Sequence, residues 1–194
     1  MANRTALSVR RLLNAEPDRT LINSVIAASD DYSMLVTGAP KQLGDANSTL
    51  ANGPPNGLPE DKFVLGFFDG DEIVGFADIY RGWNAPHKAH IGFLLLSPVH
   101  RGHGVGNNAL AYMTALAKTW VGINTLGIGV VANNTRGLSF WRKMGFVETG
   151  ELKKRPSRLL PTFLFLKNPF VSLANFLVPY DLFPRQQNPA TTRQ

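Results

Sequence analysis

Apolar residues along the chain recur at two spacings, one typical of strands and one typical of amphipathic helices. Apolar positions three or four residues apart predict a helix that begins near Pro17, and further helices over residues 30–36, 104–120 and 134–143. Short apolar runs bounded by turn residues predict strands over residues 6–12, 62–68, 72–80, 90–96, 126–131, 146–152 and 162–166. This order predicts one α/β domain with a mixed sheet flanked by helices.

Turn and cap residues mark several of the boundaries between these elements. An Asp-Gly turn at residues 69–71 predicts a hairpin between the second and third strands. Asn133 or Asn134 is a candidate N-cap for the last helix, and Gly145 would end it. Residues 37–61 are dense in Gly, Pro and Asn, which predicts a long loop or a disordered segment.

The composition is that of a globular protein with a substantial core. The chain has 194 residues, 44% of them hydrophobic, which favours one domain and excludes general disorder. There is no cysteine, so disulfides, a thiolate nucleophile and Cys-ligated zinc are excluded. No apolar run reaches the length of a membrane span, and the N-terminal residues do not resemble a signal peptide. We therefore expect a cytoplasmic protein without a membrane partner.

The net charge of +6 is unevenly distributed along the sequence. Residues 151–194 hold seven basic and two acidic residues, and the run at 153–158 is either a solvated hairpin loop or an attractor for an acidic partner. Between Asp78 and Glu148 there are 69 residues without a carboxylate, a pattern that suits a polyanionic ligand or simply reflects buried strands. No face interleaves aromatic and basic residues, so we do not expect a nucleic-acid partner.

The most informative segment is a strand, a glycine-rich loop and the start of a helix between Leu94 and Asn107. Glycines at 102, 104 and 106 let backbone N–H groups approach an anion, and the helix N-terminus adds partial positive charge. Residues 104–109 also satisfy the dinucleotide-binding pattern, but no acidic residue follows within about 20 positions to hold a ribose. The P-loop is excluded because Gly-Lys-Ser/Thr is missing.

Two motifs in this order resemble the GCN5-related N-acetyltransferase (GNAT) family. Arg101-x-x-Gly104-x-Gly106 fits the family's acetyl-CoA motif Q/R-x-x-G-x-G/A. The block from Asn134 to Phe146 is similar to the family's N-x-x-A-x-x-x-Y-x-K-x-G-F, with Gly137 in place of Ala. The resemblance implies a mostly antiparallel sheet that splays between its two middle strands and about four flanking helices. It implies a single domain over residues 1–167 (strand and helices 6–36, loop 37–61, core 62–167), with 168–194 as an extension whose last ten or so residues are flexible.

The resemblance also implies which residues bind the coenzyme. The splayed strand would pair with the pantetheine arm, and the loop amides would bind the pyrophosphate. The residues of the second motif would contact the pantetheine arm; alternatively, they only cap a helix and pack on the sheet. Backbone N–H of Leu95 would stabilise the oxyanion. The implied cofactor-binding residues are Leu94, Leu95, Leu96, Arg101, Gly102, His103, Gly104, Val105, Gly106, Asn107, Asn134 and Trp141.

The catalytic residues depart from the family's pattern. His90 stands where a catalytic Glu often lies, and it is a candidate general base or a surface histidine. Asp78, the last carboxylate before the acid-free stretch, is the second candidate or else a turn cap. The family's general-acid Tyr is replaced by Trp141, so that role would fall to Tyr112, Tyr80 or water. We expect no metal site. The chain has no cysteine to act as a ligand, and the histidines are spaced along a glycine-rich loop and its neighbourhood.

The resemblance predicts an acetyl-CoA-dependent N-acetyltransferase whose acceptor is a primary amine of a small molecule or peptide. The loops 37–61 and 81–88 would border the acceptor site. Two alternatives remain: a catalytically idle acyl-CoA-binding module, and an acyltransferase that uses another acyl-CoA or a hydroxyl acceptor. A homodimer is also open at this point.

Overall fold

The computed structural model describes residues 7–40, 43–153 and 162–170. Its helices are α1 (Asp18–Ala27), α2 (Asp30–Thr37), α3 (Ala46–Ala51), α4 (Val105–Lys118) and α5 (Thr135–Lys143). Its strands are β1 (Ser8–Arg11), β2 (Lys62–Asp69), β3 (Glu72–Arg81), β4 (Lys88–Leu96), β5 (Thr125–Val131), β6 (Val147–Lys153) and β7 (Phe163–Pro169). Within the described ranges, no helix is long and apolar enough to cross a membrane.

The strands form one seven-stranded sheet in the order β1-β2-β3-β4-β5-β7-β6. All neighbours are antiparallel except β4 and β5, which are parallel. The β4–β5 register begins at Lys88↔Thr125 and ends at Ile91↔Ile128. Beyond that point β4 continues beside β3 and β5 continues beside β7, so the sheet opens between its middle strands. The predicted mixed α/β fold with a mostly antiparallel sheet, splayed between its two middle strands, is confirmed.

Two apolar cores cover the two faces of the sheet. The larger core joins α4 and α5 to the sheet, and Phe67, Ile79 and Met113 are fully buried in it. The smaller core lies under α1 and α3 and contains Ile22 and Phe76. Because alternate residues of a strand face opposite sides, the polar residues of β3 and β4 that share a face with Phe76 lie on the α1 side.

A β-bulge interrupts β4 at the point where the sheet opens. Asp78 pairs with Phe93 while Ile79 pairs with Ile91, which leaves Gly92 as the extra residue. Bulges bend a strand and change the direction of its side chains. Gly92 is exposed even though it lies in a central strand, so the opening reaches solvent at this residue.

Two sequence-based expectations about the fold need correction. The segment 37–61 is not a continuous loop, because α3 and a 3₁₀ turn at Pro59–Asp61 lie within it. The helix α3 is N-capped by Asp45, whose carboxylate accepts from the Ser48 amide in a reciprocal capping box. The described residues therefore hold five α-helices rather than about four. The expected flexible tail lies outside the described residues, because it falls within 171–194. Most of the basic run 153–158 also lies outside them, because residues 154–161 are not described.

Candidate active site

The glycine loop before α4 presents a row of backbone donors. Gly102 and Gly104 have φ values of +82° and +85°, a left-handed conformation that residues with a Cβ rarely adopt. In the described part of the chain, none of the five consecutive amides of residues 102–106 has a hydrogen-bond acceptor; the next two amides bond to the Gly104 carbonyl. Successive free N–H groups at a helix N-terminus form an anion-binding concavity. This geometry suits the pyrophosphate of a coenzyme.

The side chain of Arg101 is engaged by neighbouring elements. Its Nε donates to the Leu96 carbonyl at 2.8 Å, and its guanidinium forms an ion pair with Asp31 of α2. The Nη2 atom also lies 3.2 Å from Asp31 Oδ1. The hydrogen bond from Arg101 holds the pKa of Asp31 below its usual range. The guanidinium therefore fastens the loop to β4 and α2 in this structure, and the expected contact of Arg101 with the coenzyme stays a prediction.

Only every second residue of β4 directs its backbone amide to the open side of the strand, because the others bond to β3. Ser97 N donates to the Val74 carbonyl at 2.9 Å, which fixes the alternation of the β3–β4 ladder. Leu95, two residues earlier and paired with Phe76, directs its amide toward β3 by the same alternation. The amides of Leu94 and Leu96 point to the open side instead. The alternation therefore argues against the expected oxyanion donor, the amide of Leu95, and favours its two neighbours.

The second motif combines a helix cap with aromatic packing. Asn134 Oδ1 accepts from the Gly137 amide at 2.8 Å, so this side chain caps α5. Its Nδ2 would lie 2.6 Å from a Cβ at position 137, so an alanine there would require this side chain to shift. Trp141 is only 5% exposed and packs edge-on against Phe146, so it is a core residue, and its expected coenzyme contact stays a prediction. Phe140 instead lies against Gly106 of the loop.

Asp78 lies on the α1 face of β3 in a cluster with two other polar side chains. Its Oδ2 accepts from Tyr80 Oη at 2.8 Å and lies 3.8 Å from Lys62 Nζ. Its Oδ1 is buried without a hydrogen-bond partner among the described residues. A Cβ on Gly92 would be 2.7 Å from that oxygen, so the unpaired oxygen faces the bulge at the opening of the sheet.

Burial controls the protonation of this cluster. It raises the pKa of Asp78, and the Tyr80 hydrogen bond and the Lys62 charge oppose that shift only in part. Burial also lowers the pKa of Lys62 and raises that of Tyr80. Lys62 Nζ donates to the carbonyls of Thr49 and Asn52, so it ties α3 to the sheet beside Asp78. A carboxylate with a raised pKa next to an opening is a suitable proton acceptor.

His90 faces the same side of the sheet as Tyr80, its register partner on β3. It is 6% exposed, and its Nδ1 has no hydrogen-bond partner in the described part of the chain. Trp83 packs against its ring with centroids 4.6 Å apart. Burial and the nearby charge of Lys88 lower its pKa to about 3. The imidazole is therefore neutral at physiological pH, and it is a much weaker base than its expected role requires.

The remaining candidates lie apart from this cluster. Tyr112 donates to the Leu7 carbonyl at 2.8 Å from α4, so its hydroxyl is occupied near β1. His100 lies 3.9 Å from Glu72, and His103 is exposed on the loop. Among the described residues, no three His, Asp or Glu side chains are grouped as a metal site would need.

Sequence reasoning missed Lys62 and Lys88 as residues of the site. Each stands at the start of a strand, where a lysine is ordinarily a solvated terminus. Lys62 is nevertheless 7% exposed, and Lys88 is half-buried. The available signal was weak: Lys62 is followed at once by six residues with five apolar side chains.

Comparisons with known proteins identify the family of this chain. The acetyltransferase (GNAT) family model matches residues 35–146, which is more than half of the chain. No curated protein matches the sequence.

Solved structures share the fold at low sequence identity. An acetyltransferase from Thermus thermophilus is 23% identical, with 84% of this chain and 97% of that chain covered and a TM-score of 0.61. The GNAT domain of S. lividans PAT is 18% identical, with coverages of 83% and 89% and a TM-score of 0.61. The ribosomal-protein-S18-alanine N-acetyltransferase from Escherichia coli is 15% identical, with coverages of 89% and 100% and a TM-score of 0.58. The chain belongs to the acetyltransferase (GNAT) family.

Proposed function

We propose that this protein is an acetyl-CoA-dependent N-acetyltransferase that acts on a primary amine of a small molecule or peptide in the cytoplasm. One observation carries the proposal: five amides without acceptors, at residues 102–106, follow a strand whose β5 side is unpaired beyond Ile91, and the unpaired Asp78 oxygen faces Gly92 at the start of that open stretch. Transfer from an acyl-CoA to an amine requires an anion-binding site for the coenzyme and a base for the amine.

The residues present fit coenzyme A on physical grounds. The amides of residues 102–106 would bind the pyrophosphate, and the outward amides of Leu94 and Leu96 would pair with the pantetheine arm as an added strand would. Phe140 borders the loop at Gly106. When bound, acetyl-CoA supplies an acetyl group activated as a thioester.

Asp78 is the proposed general base. An amine is an ammonium at neutral pH and must lose a proton before its nitrogen can attack a carbonyl carbon. The Asp78 Oδ1 atom is buried without a partner among the described residues and lies next to the exposed Gly92, so it can accept that proton through a water that enters at this glycine. The raised pKa of Asp78 brings its basicity closer to neutral pH. His90, whose pKa is lowered to about 3, is the weaker base of the two candidates.

Protonation of the departing thiolate falls to solvent in this proposal. Trp141 is buried and its indole N–H is not a useful acid, Tyr112 is bonded to Leu7, and Tyr80 is bonded to Asp78. Gly92 is exposed, so water reaches the opening beside β4.

Thiol-release kinetics test the proposal. The purified chain is incubated with acetyl-CoA and a panel of amines, polyamines, amino acids and peptide N-termini, while calorimetry measures coenzyme A binding. We expect binding in the micromolar to millimolar range and thiol release with at least one amine. Binding without turnover across the panel would favour the idle module, and turnover only with longer acyl-CoAs or with alcohols would favour the other alternative. No uptake of coenzyme A by folded protein would overturn the assignment.

A further inference from the structure

Lys88 places a cation beside the candidate active site without an ion-pair partner in the described part of the chain. Its side chain crosses Gly127 of β5, where an added Cβ would lie 2.1 Å from Lys88 Cε and 2.7 Å from Nζ. No described carboxylate lies within ion-pair distance of this ammonium. Burial lowers the pKa of Lys88, an effect that Glu151 opposes from a longer range and the exposed Lys167 reinforces. The side chain is partly exposed, so an anionic ligand that binds here would gain a charge-assisted hydrogen bond from this ammonium.

The imidazole of His90 points to the same place. Its Nδ1 lies 3.4 Å from the position of that added Cβ on Gly127, so this nitrogen and Lys88 Nζ converge above one glycine. The nitrogen is buried and has no hydrogen-bond partner among the described residues, although a buried polar atom is normally paired. The unpaired His90 nitrogen and the partly exposed Lys88 ammonium therefore lie above a residue that lacks a side chain, and they can bind an anion once the lysine stem moves aside.

The surroundings favour a ligand with an apolar stem. Trp83 packs edge-on against His90, and the Phe165 centroid lies 6.3 Å from that of His90. Phe165 also lies across Gly129, at 3.3 Å from an added Cβ there. The glycines at 127 and 129 face the same side of β5, because alternate residues of a strand share a face. They leave a strip of β5 without side chains of its own, which the Lys88 stem and the Phe165 ring cover in this structure.

Strand geometry relates this strip to the proposed base. His90 and Gly127 are register partners, and the unpaired Asp78 oxygen lies over Gly92, two residues further along β4. Two residues of a strand span about 7 Å. Consider an acceptor molecule whose amine nitrogen contacts Asp78. A second group on this molecule, about 7 Å from the amine nitrogen, would then contact Lys88 and His90.

We propose that Lys88 and His90 form a carboxylate-binding subsite, so that the acceptor is an amine carrying a carboxylate about five bonds from the reacting nitrogen. This inference rests on the proposed N-acetyltransferase function and specifies its substrate class. Lys88 supplies the charge, and the Nδ1–H tautomer of neutral His90 supplies a hydrogen bond to the carboxylate.

A matched pair of acceptors tests the subsite. The compounds 5-aminopentanoate and 5-aminopentanamide present the same amine and differ in one charge. We expect kcat/KM to be at least about tenfold higher for the carboxylate, with most of the difference in KM. The Lys88→Met variant should bring that ratio close to one, and Lys88→Arg should keep most of it. Glycine, which is too short to span both groups, should show little dependence on Lys88.

Controls separate this proposal from its alternatives. Lys143→Met removes an exposed charge at the end of α5 and should leave the ratio unchanged. An equal loss in Lys143→Met would indicate general charge attraction and overturn the subsite. Turnover of the amide at the same efficiency as the carboxylate would overturn it too, while leaving the proposed function intact. If neither amine is acetylated, calorimetry decides: tighter binding of 5-aminopentanoate than of its amide, lost in Lys88→Met, supports the subsite, and equal binding overturns it.

Discussion

Replacing Asp78 by Asn isolates its role as a base, because the change removes a charge and keeps the shape of the side chain. A positioned general base contributes about 10²- to 10⁴-fold to the rate. We therefore expect kcat/KM for any accepted amine to fall by about that factor. The amide can still accept from Tyr80 Oη, so the 2.8 Å hydrogen bond can persist.

Removing the charge of Asp78 has two opposing effects on stability, so the melting temperature is measured together with the activity. At 3.8 Å, the attraction between Lys62 and Asp78 is about 4 kcal/mol for an effective dielectric constant of 20. The replacement recovers the cost of burying the carboxylate, but it leaves Lys62, which is 7% exposed, without its counter-ion, and breaking a buried pair in this way costs about 3–5 kcal/mol. We therefore expect the melting temperature to fall by about 6–20 °C, at about 2–4 °C per kcal/mol for a chain of this size, and activities are compared well below that temperature.

The pH profile gives the reasoning a second test. The pKa of Asp78 is raised, so the carboxylate loses its charge at a higher pH than an ordinary aspartate does. In the wild-type protein, kcat/KM should fall as the pH drops through that raised value, and Asp78→Asn should lack this acid limb. Asp71→Asn, at an exposed turn, is the matched control and should behave as wild type. Retention of more than about a tenth of the activity in Asp78→Asn, with the acid limb intact, would assign the base elsewhere.

Three further changes test the coenzyme loop, the core and the general-acid alternative. Gly104→Ala forces a Cβ into a left-handed φ of +85° and should cost about 1–2 kcal/mol of stability; calorimetry should show weaker coenzyme A binding, and unchanged affinity would refute the amide seat. Phe67→Ala empties a fully buried position and should lower the free energy of unfolding by about 3–5 kcal/mol in urea titration, whereas a loss below about 1 kcal/mol would contradict the packing. Tyr112→Phe removes the bond to the Leu7 carbonyl and should cost about 1 kcal/mol with activity retained; a large loss of kcat at unchanged stability would restore Tyr112 as the acid.

Local patterns predicted most of the secondary structure because they depend on neighbouring residues. The Asp-Gly turn at 69–71 and the Asn134 cap lie where the sequence places them. The helix α3 was missed because its residues, Ala46–Ala51, are mostly polar or small and its capping box uses Ser48 rather than the usual Glu or Gln. A six-residue helix with one fully buried side chain leaves no apolar periodicity to detect.

The site depended on contacts that sequence spacing does not encode. The register that places Asp78 beside Gly92 includes a bulge, and a bulge shifts every later pairing by one residue. The partner of Arg101 is Asp31, 70 residues away, so its engagement in an ion pair was invisible along the chain. The same holds for Trp141: the motif fixed its position, and only packing against Phe146 showed that it belongs to the core.

The short parallel seam between β4 and β5 has a mechanical consequence. Four register pairs, from Lys88↔Thr125 to Ile91↔Ile128, are the backbone pairing that joins the two halves of the sheet across its middle. A coenzyme arm that paired with the free length of β4 would extend this backbone pairing and would connect the two halves of the sheet over a longer distance. Coenzyme binding along this edge would therefore also make the protein more rigid, and part of the binding free energy would offset the loss of conformational entropy.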